Sequence, residues 1–248
     1  MKFEPFLRGR ISIAQPETGH RAGTDTILLA ATVSSGFSGL VIDAGAGVGG
    51  AGLALAARVP DARVTLVEID PATVEFARAN SAHNGLETRL SVVEADLLAS
   101  HAERSLNGLT REDAACVITN PPFLSEGEAR PSSDEDRRRA HLMPTGGLER
   151  WMKAIHALLA PRGTFVMITR PERLQETIVA CDGRFGFLTL LPIHPHEGDP
   201  AIRLLIRGTK GSKAPLSILP GFVLHGPDGR FTPFVEKLHA GEASLNLV

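Results

Sequence analysis

The stretch LVIDAGAGVGGAGLALAAR, residues Leu40–Arg58, decides the fold, because an apolar run gives way there to a helical pattern through a glycine-rich turn. The run Leu40–Gly47 predicts a strand, and Ala51–Arg58, rich in alanine and leucine, predicts a helix. Glycines let the backbone turn sharply and let a ligand approach it, while the start of a helix offers free N–H groups. The stretch predicts a nucleotide-binding turn; a dinucleotide fingerprint and a plain turn of a doubly wound sheet remain alternatives.

Short apolar runs and helical patterns keep alternating after this turn. Strands are predicted at Arg63–Asp70, Arg89–Leu97, Ala114–Thr119, Gly163–Arg170, Phe187–His194 and Ala201–Gly208, and helices at Pro71 to about His83, Leu148–Leu159 and Pro171–Ala180. A short loop joins the last two strands, which indicates an antiparallel pair. We therefore expect an α/β fold with a doubly wound, mostly parallel sheet of about seven strands and an antiparallel C-terminal strand.

The composition fits one globular domain over residues 1–248. Of the 248 residues, 43% are hydrophobic and 22% are charged, and the net charge of −2 does not by itself demand a nucleic-acid partner. The only cysteines are Cys116 and Cys181, which fits a reducing cytoplasm. The N-terminus does not resemble a signal peptide and no apolar run reaches about 18 residues, so we expect a soluble, cytoplasmic protein without a membrane partner.

A polar, proline-bearing segment interrupts the alternation at residues 124–145. The segment is too charged for a core and too long for an ordinary connection, so we predict a flap or a partner-contacting loop. Its arginines Arg130 and Arg137–Arg139 are candidate contacts for the phosphates of an RNA. A solvated charged helix, paired with the acidic residues 134–136, is the alternative. No metal site is predicted, because carboxylates at metal spacing are missing around the scattered histidines His194, His196 and His225.

Four polar residues stand at the ends of four successive predicted strands, namely Asp43, Glu68, Asp96 and Asn120. In an open α/β sheet the crevice at the carboxyl ends of the strands binds the ligand, so these side chains would face one cleft. Glu68 lies about 20 residues beyond the glycines, where a carboxylate that binds ribose hydroxyls is expected. Asp70 competes for this role but is better placed to cap the next helix. Solvated strand ends or helix caps remain the alternative for each residue alone.

The sequence NPPF, Asn120–Phe123, follows directly after a predicted strand. Proline lacks an N–H and pushes the residue before it into an extended conformation, so this stretch is stiff and points outward. The Asn120 side-chain oxygen and the Pro121 carbonyl could accept both protons of one planar amino group, and Phe123 offers a ring for stacking. No strong base is present. This suits methyl transfer from a sulfonium to an exocyclic amine, in which orientation and proximity dominate.

The order of these motifs resembles the class I S-adenosylmethionine-dependent methyltransferases that modify planar amino or amide nitrogens. The segment Gln15–Ala31 and the tail Phe222–Leu238 are similar to the bacterial tRNA adenine-N6 methyltransferases that modify valine tRNA beside the anticodon. The resemblance covers nearly the whole chain and implies a Rossmann-like core at 40–248, with residues 1–39 as an extension that closes over cofactor and substrate. Phe123 departs from the tyrosine usual in that family. Stacking survives this change, whereas a hydrogen bond from a hydroxyl does not.

The resemblance also implies a role for each site residue. Within the cofactor set, the glycine turn and Asp43 would line the methionine part, Glu68 would bind the ribose, and Asp96 with Leu97 would hold the adenine. Residues before the first core strand would close over the cofactor. The whole cofactor set is Gln15, Arg21, Thr24, Asp25, Asp43, Gly45, Ala46, Gly47, Glu68, Ile69, Asp96, Leu97 and Asn120. The catalytic set that would hold the target amine is Asn120, Pro121, Pro122 and Phe123.

The leading prediction is an enzyme that methylates an exocyclic nitrogen, foremost N6 of an adenine in a tRNA, with S-adenosylmethionine as cofactor and RNA as partner. A protein glutamine and guanine N2 of ribosomal RNA present a similar planar amine and stay as alternative acceptors. The glutamine enzymes carry a helical substrate domain before the glycine turn, and only about 40 residues are available here. The non-enzymatic alternative is an RNA-binding module that keeps the cofactor fold. A nicotinamide dehydrogenase would leave NPPF without a role.

Overall fold

The structure, a computed structural model, describes residues 1–17, 21–121, 124–125, 142–143 and 146–247. Its strands are β1 Phe3–Phe6, β2 Ile11–Ala14, β3 Gly39–Ala44, β4 Ala62–Glu68, β5 Leu90–Glu94, β6 Ala114–Thr119, β7 Leu124–Ser125, β8 Leu142–Met143, β9 Leu159–Thr169, β10 Phe185–His194, β11 Arg203–Lys210, β12 Ser217–Ile218 and β13 Phe222–Val223. Its helices are α1 Thr24–Ala31, α2 Gly50–Arg58, α3 Pro71–His83, α4 His101–Leu106, α5 Gly147–Leu158, α6 Leu174–Cys181 and α7 Pro233–His239.

The main sheet of the described residues has nine strands in the order β12–β10–β11–β9–β6–β3–β4–β5, with β13 also paired to β10. Neighbours from β5 through β3 to β9 run parallel. β11 lies antiparallel between β9 and β10. This topology confirms the expected doubly wound, mostly parallel sheet with an antiparallel C-terminal strand, and the two strands beyond the expected seven, β12 and β13, have two residues each.

Helices pack on both faces of this sheet because successive strand residues point to opposite sides. Val41 of β3 belongs to a buried cluster that includes Leu28 of α1 and Leu53 of α2. The next residue, Ile42, belongs to a second cluster that includes Met152 of α5. β3 is packed between these two apolar layers in the middle of the sheet. This packing fixes the position of the turn that follows β3.

Asn80 of α3 and Asn84, which follows the end of α3, bind the backbone of β2 in the way that a neighbouring strand would. The buried Asn80 accepts the N–H of Ala14 at 2.6 Å and donates to the Ala14 carbonyl at 2.9 Å. One turn later, Asn84 accepts from Ser12 at 2.9 Å and donates to it at 2.7 Å. Asn80 also donates to the carbonyl of Val48 at 3.0 Å, so one side chain joins the N-terminal hairpin to the glycine-rich turn.

The start of β9 is where the predicted boundaries fail most. β9 begins at Leu159, earlier than the predicted Gly163, and Leu159 pairs with Ala114 of β6. Regular pairing resumes only at Thr164, after an irregular stretch in which Arg162 has a φ of 63°. The prediction was wrong here because the letters APRG in the middle of the strand are typical of a turn.

Three helices, α1, α4 and α7, were not predicted. For α4 the sequence holds a capping box: the Ser100 hydroxyl accepts the N–H of Glu103, and the Glu103 carboxylate accepts the N–H of Ser100. For α7, Thr232 caps the helix and Pro233 occupies its first position. These signals are short and the helices have six and seven residues, so neither shows a full apolar period. None of the helices in the described ranges combines the length and the apolar character needed to cross a membrane.

Candidate active site

The glycine-rich turn after β3 is tied to the end of β4. The N–H groups of Gly45 and Ala46 donate to the carbonyl of Val67 at 3.0 and 2.9 Å. Gly45, Gly47 and Gly49 have φ values of 71°, 57° and 86°, a region that residues with a side chain rarely adopt. The turn therefore requires glycine at these three positions for backbone reasons alone.

The glycines serve two different purposes. A Cβ on Gly52 would stand 2.2 Å from Cδ2 of Leu66, and one on Gly45 would stand 3.1 Å from the ring of Trp151, so both positions allow close packing. A Cβ on Gly47 would meet nothing within 4 Å. Gly47 therefore lies at the tip of the turn beside open space, where a ligand can approach the backbone.

Asp43, at the end of β3, is buried directly beneath the turn. Its Oδ2 accepts the N–H of Gly52 at 2.9 Å. Burial raises the pKa of Asp43 from 3.8 to about 7; the Gly52 hydrogen bond lowers it and the charge of Glu68 raises it further. The carboxylate therefore sits where a positively charged ligand group would favour its ionised form.

The buried Asp43 should make the stability of the fold depend on pH. Because the folded pKa lies above the unfolded value, Asp43 stabilises the fold most below pH 3.8, and this contribution is lost as the pH rises through about 7. The loss should be on the order of 4 kcal/mol, at about 1.4 kcal/mol per pKa unit. We expect chemical denaturation at several pH values to show this decline in the parent and not in Asp43→Asn. Substitution of the exposed Asp61 by Asn is the matched control and should keep it.

Glu68, at the end of β4, already holds three backbone N–H groups. Its Oε2 accepts from Gly47 at 2.9 Å, and its Oε1 accepts from Ile69 at 2.8 Å and Asp70 at 3.0 Å. A carboxylate has about four acceptor sites, so capacity for a further donor remains. Asp70 caps α3 by accepting the N–H of Thr73 at 3.0 Å, which confirms the helix-cap prediction made for it.

The predicted adenine-binding residues lie beyond the end of β5, on the open part of this edge. β5 ends at Glu94, and Asp96 is exposed, with its Oδ1 accepting the N–H of Leu98 at 2.7 Å. Leu97 is buried, whereas Ile69 is 52% exposed. An exposed aliphatic side chain beside the Glu68 carboxylate provides an apolar surface next to a polar group.

Asn120 follows β6 and lines a small cavity of about 70 Å³ together with Asp43 and the glycine turn. The remaining walls come from α1, α2 and the residues before α1, namely Ala22, Thr26, Leu29, Val48 and Ala51. The side-chain oxygen of Asn120 is buried and has no hydrogen-bond partner among the described residues. A buried acceptor without a donor costs stability, so a ligand that donates a hydrogen bond to this oxygen would remove that cost.

Two buried residues support the position of Asn120 from below. The hydroxyl of Thr119 donates to the carbonyl of Ala44 at 2.8 Å, and the indole N–H of Trp151 donates to that hydroxyl at 3.2 Å. This chain of bonds joins β6 to the end of β3 immediately before Asn120. The sequence predicted the helix that carries Trp151, but nothing in the local pattern indicated a bond to Thr119.

The predicted cofactor residues before the first core strand do not share one site: they have different partners and line different cavities. Gln15 accepts the N–H of Ala22 at 2.9 Å, and Arg21 pairs with Glu4 at 2.7 Å. Asp25 pairs with Arg203 at 2.7 Å. Thr24 faces a second cavity, whereas Ala22 and Thr26 line the cavity of Asn120 and were missed by the sequence analysis. Thr24 and Thr26 diverge because residues of α1 are offset by about 100° each, and no helix was predicted there.

Several predicted residues lie outside the described residues, namely Pro122, Phe123, Arg130, Arg137, Arg138 and Arg139. Pro121 is described and buried. Within the described part of the chain, no group of three or more His, Cys, Asp or Glu side chains could hold a metal ion.

The described residues fit a cationic nucleoside such as S-adenosylmethionine. The buried Asp43 suits the charged end of the cofactor, and Gly47 leaves its backbone approachable. The enclosed volume of about 70 Å³ is well below the roughly 300–1,000 Å³ of a typical ligand pocket. Only the end near the methyl group would be enclosed, and the remainder would lie along the open edge by Glu68 and Asp96.

Comparison with known proteins agrees with this geometry. The profile of the methyltransferase small domain matches residues 20–138. A tRNA1(Val) (adenine(37)-N6)-methyltransferase of Porphyromonas gingivalis is 36% identical over 71% of this chain and 69% of its own length. Another enzyme of that name, from Vibrio parahaemolyticus, aligns over 96% of this chain. A release factor glutamine methyltransferase of Chlorobaculum tepidum is 31% identical over 58% of this chain and 49% of its own length.

Among solved structures, a predicted O-methyltransferase of Agrobacterium tumefaciens superposes with a TM-score of 0.77 at 34% identity and covers 90% of this chain and 98% of that one. The sheet order, the glycine turn and these matches define a class I S-adenosylmethionine-dependent methyltransferase. More narrowly, the chain belongs to the family represented by the tRNA1(Val) (adenine(37)-N6)-methyltransferases.

Proposed function

We propose that this enzyme methylates N6 of an adenine in tRNA, at position 37 of a tRNA1(Val)-type molecule, as the names of its relatives state for them. One observation carries the choice of an amino group as acceptor. The buried side-chain oxygen of Asn120 lies at the wall of the cavity that contains the glycine turn, and no described residue donates a hydrogen bond to it. An exocyclic N–H₂ is a donor that would satisfy it.

The chemistry then depends mainly on orientation. S-adenosylmethionine, when bound, supplies a methyl group on a positively charged sulfur. Asn120 Oδ1 accepts one proton of the amine and the carbonyl of Pro121 accepts the other, which leaves the nitrogen lone pair free. The new nitrogen–carbon bond would form as the carbon–sulfur bond of the bound cofactor breaks, which leaves a neutral thioether. The proton, far more acidic once the nitrogen is alkylated, would then pass to water, so no strong base is required. Fixing the amine in this way can supply a large part of the rate enhancement.

The other predicted site residues keep their roles in this proposal. Gly45, Ala46 and Gly47 approach the methionine part, Glu68 with Ile69 takes the ribose, and Asp96 with Leu97 takes the adenine of the cofactor. Pro122 and Phe123 complete the amine site, and Arg130 with Arg137–Arg139 contacts phosphates of the RNA. Free acceptor capacity on Glu68 and the exposed face of Ile69 support these assignments.

We also propose one domain over residues 1–248, working on RNA in the cytoplasm. Support for the single domain comes from the core, where Ile11 and Ile13 of β2 and Ile27 of α1 belong to the same buried cluster as Val41 of β3. Residues 1–39 therefore add their own apolar side chains to the core instead of forming a separate one. The closing role predicted for Arg21, Thr24 and Asp25 stays part of the proposal.

A methylation assay with three acceptors tests this function. The enzyme, labelled S-adenosylmethionine and unmodified total tRNA, ribosomal RNA or release factor protein are incubated separately, and the labelled product is identified. We expect N6-methyladenosine at position 37 of a valine tRNA. Label in a protein glutamine or at guanine N2 would show that the acceptor is one of the two alternatives. Failure of the protein to bind S-adenosylmethionine would favour the non-enzymatic module. The longer match to the tRNA enzymes, 69% against 49% of the relative's length, favours tRNA.

A further inference from the structure

A second and larger cavity lies on the other side of α1. It measures about 510 Å³, within the usual range for a ligand pocket. Its walls come from the turn between β1 and β2, from the start of α1 and from the end of α7, and include Phe6, Arg8, Gly23, Thr24, Ile27 and His239. The proposed transfer of a methyl group uses none of this space except through Thr24.

The first turn of α1 separates this cavity from the one that contains Asn120. Thr24 lines the larger cavity, and Thr26, two residues later, lines the smaller one. A helix with its side chains is about 10–12 Å across, so the two cavities are roughly one helix width apart. A polymer that presents one unit to Asn120 would therefore carry an adjacent unit past the larger cavity.

The polar groups of the larger cavity suit a phosphate. Arg8 carries a guanidinium that pairs with Glu236 and is 60% exposed. Gly23 is the N-cap of α1, an eight-residue helix, and has no side chain to bind the N–H groups of the first turn. Free N–H groups at a helix start attract anions. The guanidinium-bearing Arg8 and the start of α1 thus line the same cavity.

The remaining walls suit a sugar. His239 lines the cavity, its Nε2 is buried with no hydrogen-bond partner among the described residues, and its ring stacks on Phe231 at 4.6 Å between centroids. Burial lowers the pKa of His239, and the charge of Arg8 lowers it further, which favours the neutral ring with one donor and one acceptor nitrogen. Phe6 and Ile27 add apolar surface. The cavity thus combines groups for a phosphate, a hydroxyl and an apolar ring face.

We propose that this cavity binds a sugar–phosphate unit of the substrate RNA adjacent to the methylated base, with Arg8 and the start of α1 holding the phosphate. The inference rests on the proposed function in one respect, that the substrate is RNA. It adds a binding site formed by the N-terminal turn and α7, separate from the arginines of residues 124–145.

The charge of Arg8 is tested by equilibrium binding of unmodified total tRNA at several salt concentrations. Arg8→Gln should weaken binding roughly tenfold, since a hydrogen bond to a charged group is worth about 1.5–3 kcal/mol. The slope of log affinity against log salt should flatten by about one. Glu236→Gln breaks the same ion pair but keeps Arg8, so it should bind tRNA as tightly as the parent or more tightly. Affinity for S-adenosylmethionine should not change in either variant.

A steric variant tests the cavity without a change of charge. Gly23 has a φ of −151°, which any residue adopts, and a Cβ there would meet nothing within 4 Å, so Gly23→Leu has room at the cavity wall. We expect it to weaken tRNA binding several-fold. Gly36→Leu is the matched control, because Gly36 is exposed and a Cβ there would stand 4.0 Å from the hydroxyl oxygen of Ser34.

Failure of this inference is distinguishable from failure of the proposed function. If the parent methylates tRNA while Arg8→Gln and Gly23→Leu bind tRNA like the parent, the cavity is not an RNA site and the function stands. Equal losses in Arg8→Gln and Glu236→Gln would also overturn the inference, because the ion pair alone would explain them. If the parent does not methylate tRNA, yet Arg8→Gln weakens binding and flattens the salt slope, the cavity stands and the proposed function fails.

Discussion

Asn120→Ala should lower kcat by about 10²–10³-fold and leave the affinity for S-adenosylmethionine close to that of the parent. The variant removes the buried oxygen that would hold one proton of the amine, and loss of a single positioning contact has effects of this size. The remaining walls of the cavity, including Asp43 and the glycine turn, are unchanged. Single-turnover kinetics with tRNA, together with calorimetric titration of the cofactor, measures the two effects separately.

Stability distinguishes this role of Asn120 from a structural one. Its Oδ1 is buried without a donor from the part of the chain that the structure describes, a state that costs about 1–3 kcal/mol. Asn120→Leu, of similar size and without polar atoms, should therefore unfold at the same temperature as the parent or higher, while it loses activity. A parent-like kcat in Asn120→Leu would disprove the positioning role. A large loss of stability would show that the carboxamide supports the fold instead.

Glu68→Ala should weaken S-adenosylmethionine about 100-fold, the second largest effect that we expect. The variant removes the acceptor site left for a ribose hydroxyl, and one lost charge-assisted hydrogen bond amounts to about 1.5–3 kcal/mol. It also removes the hydrogen bond of 2.9 Å that the N–H of Gly47, at the tip of the glycine turn, donates to Glu68. Isothermal titration with S-adenosylhomocysteine and S-adenosylmethionine reports the change in affinity.

Glu94 provides a control for charge. It is exposed, and it lies opposite Glu68 in the register of the parallel strands β4 and β5. Glu94→Ala removes a carboxylate from the same edge of the sheet and should leave cofactor affinity unchanged. Glu68→Gln keeps an acceptor oxygen and should fall between the parent and Glu68→Ala. If Glu68→Ala and Glu94→Ala behave alike, the carboxylate of Glu68 acts only through the general charge of the edge and not through contact with the ribose.

The central part of the fold was predictable from sequence because β3, β4 and β6 are apolar runs bounded by clear breaks. Asp70 before Pro71 also predicted the start of α3 correctly. The helix α1 escaped prediction because it is buried over most of its surface, Thr26–Ala31, and a helix without a polar face shows no period of 3.6 residues. Its run of apolar residues is typical of a buried strand as well as of a buried helix.

The site was predictable in part, because strand ends in an open sheet meet at one edge. Asp43 and Asn120 were both expected there, and both line the same cavity. The support beneath them was not predictable. Asn80 reaches Ala14 and Val48, and Trp151 reaches Thr119, across long separations in the chain that no local pattern encodes. Side-chain bonds of this kind depend on how the elements pack.

During synthesis, β10 leaves the ribosome before any of its partners in the described sheet. It ends at His194, and the strands that pair with it, β11, β12 and β13, begin at Arg203 or later. Until Lys210 has emerged, the N–H and C=O groups of this largely apolar strand have no neighbour, and such unpaired edges recruit other chains. Nascent chains that stall between His194 and Arg203 should therefore aggregate more readily than chains that have passed Lys210.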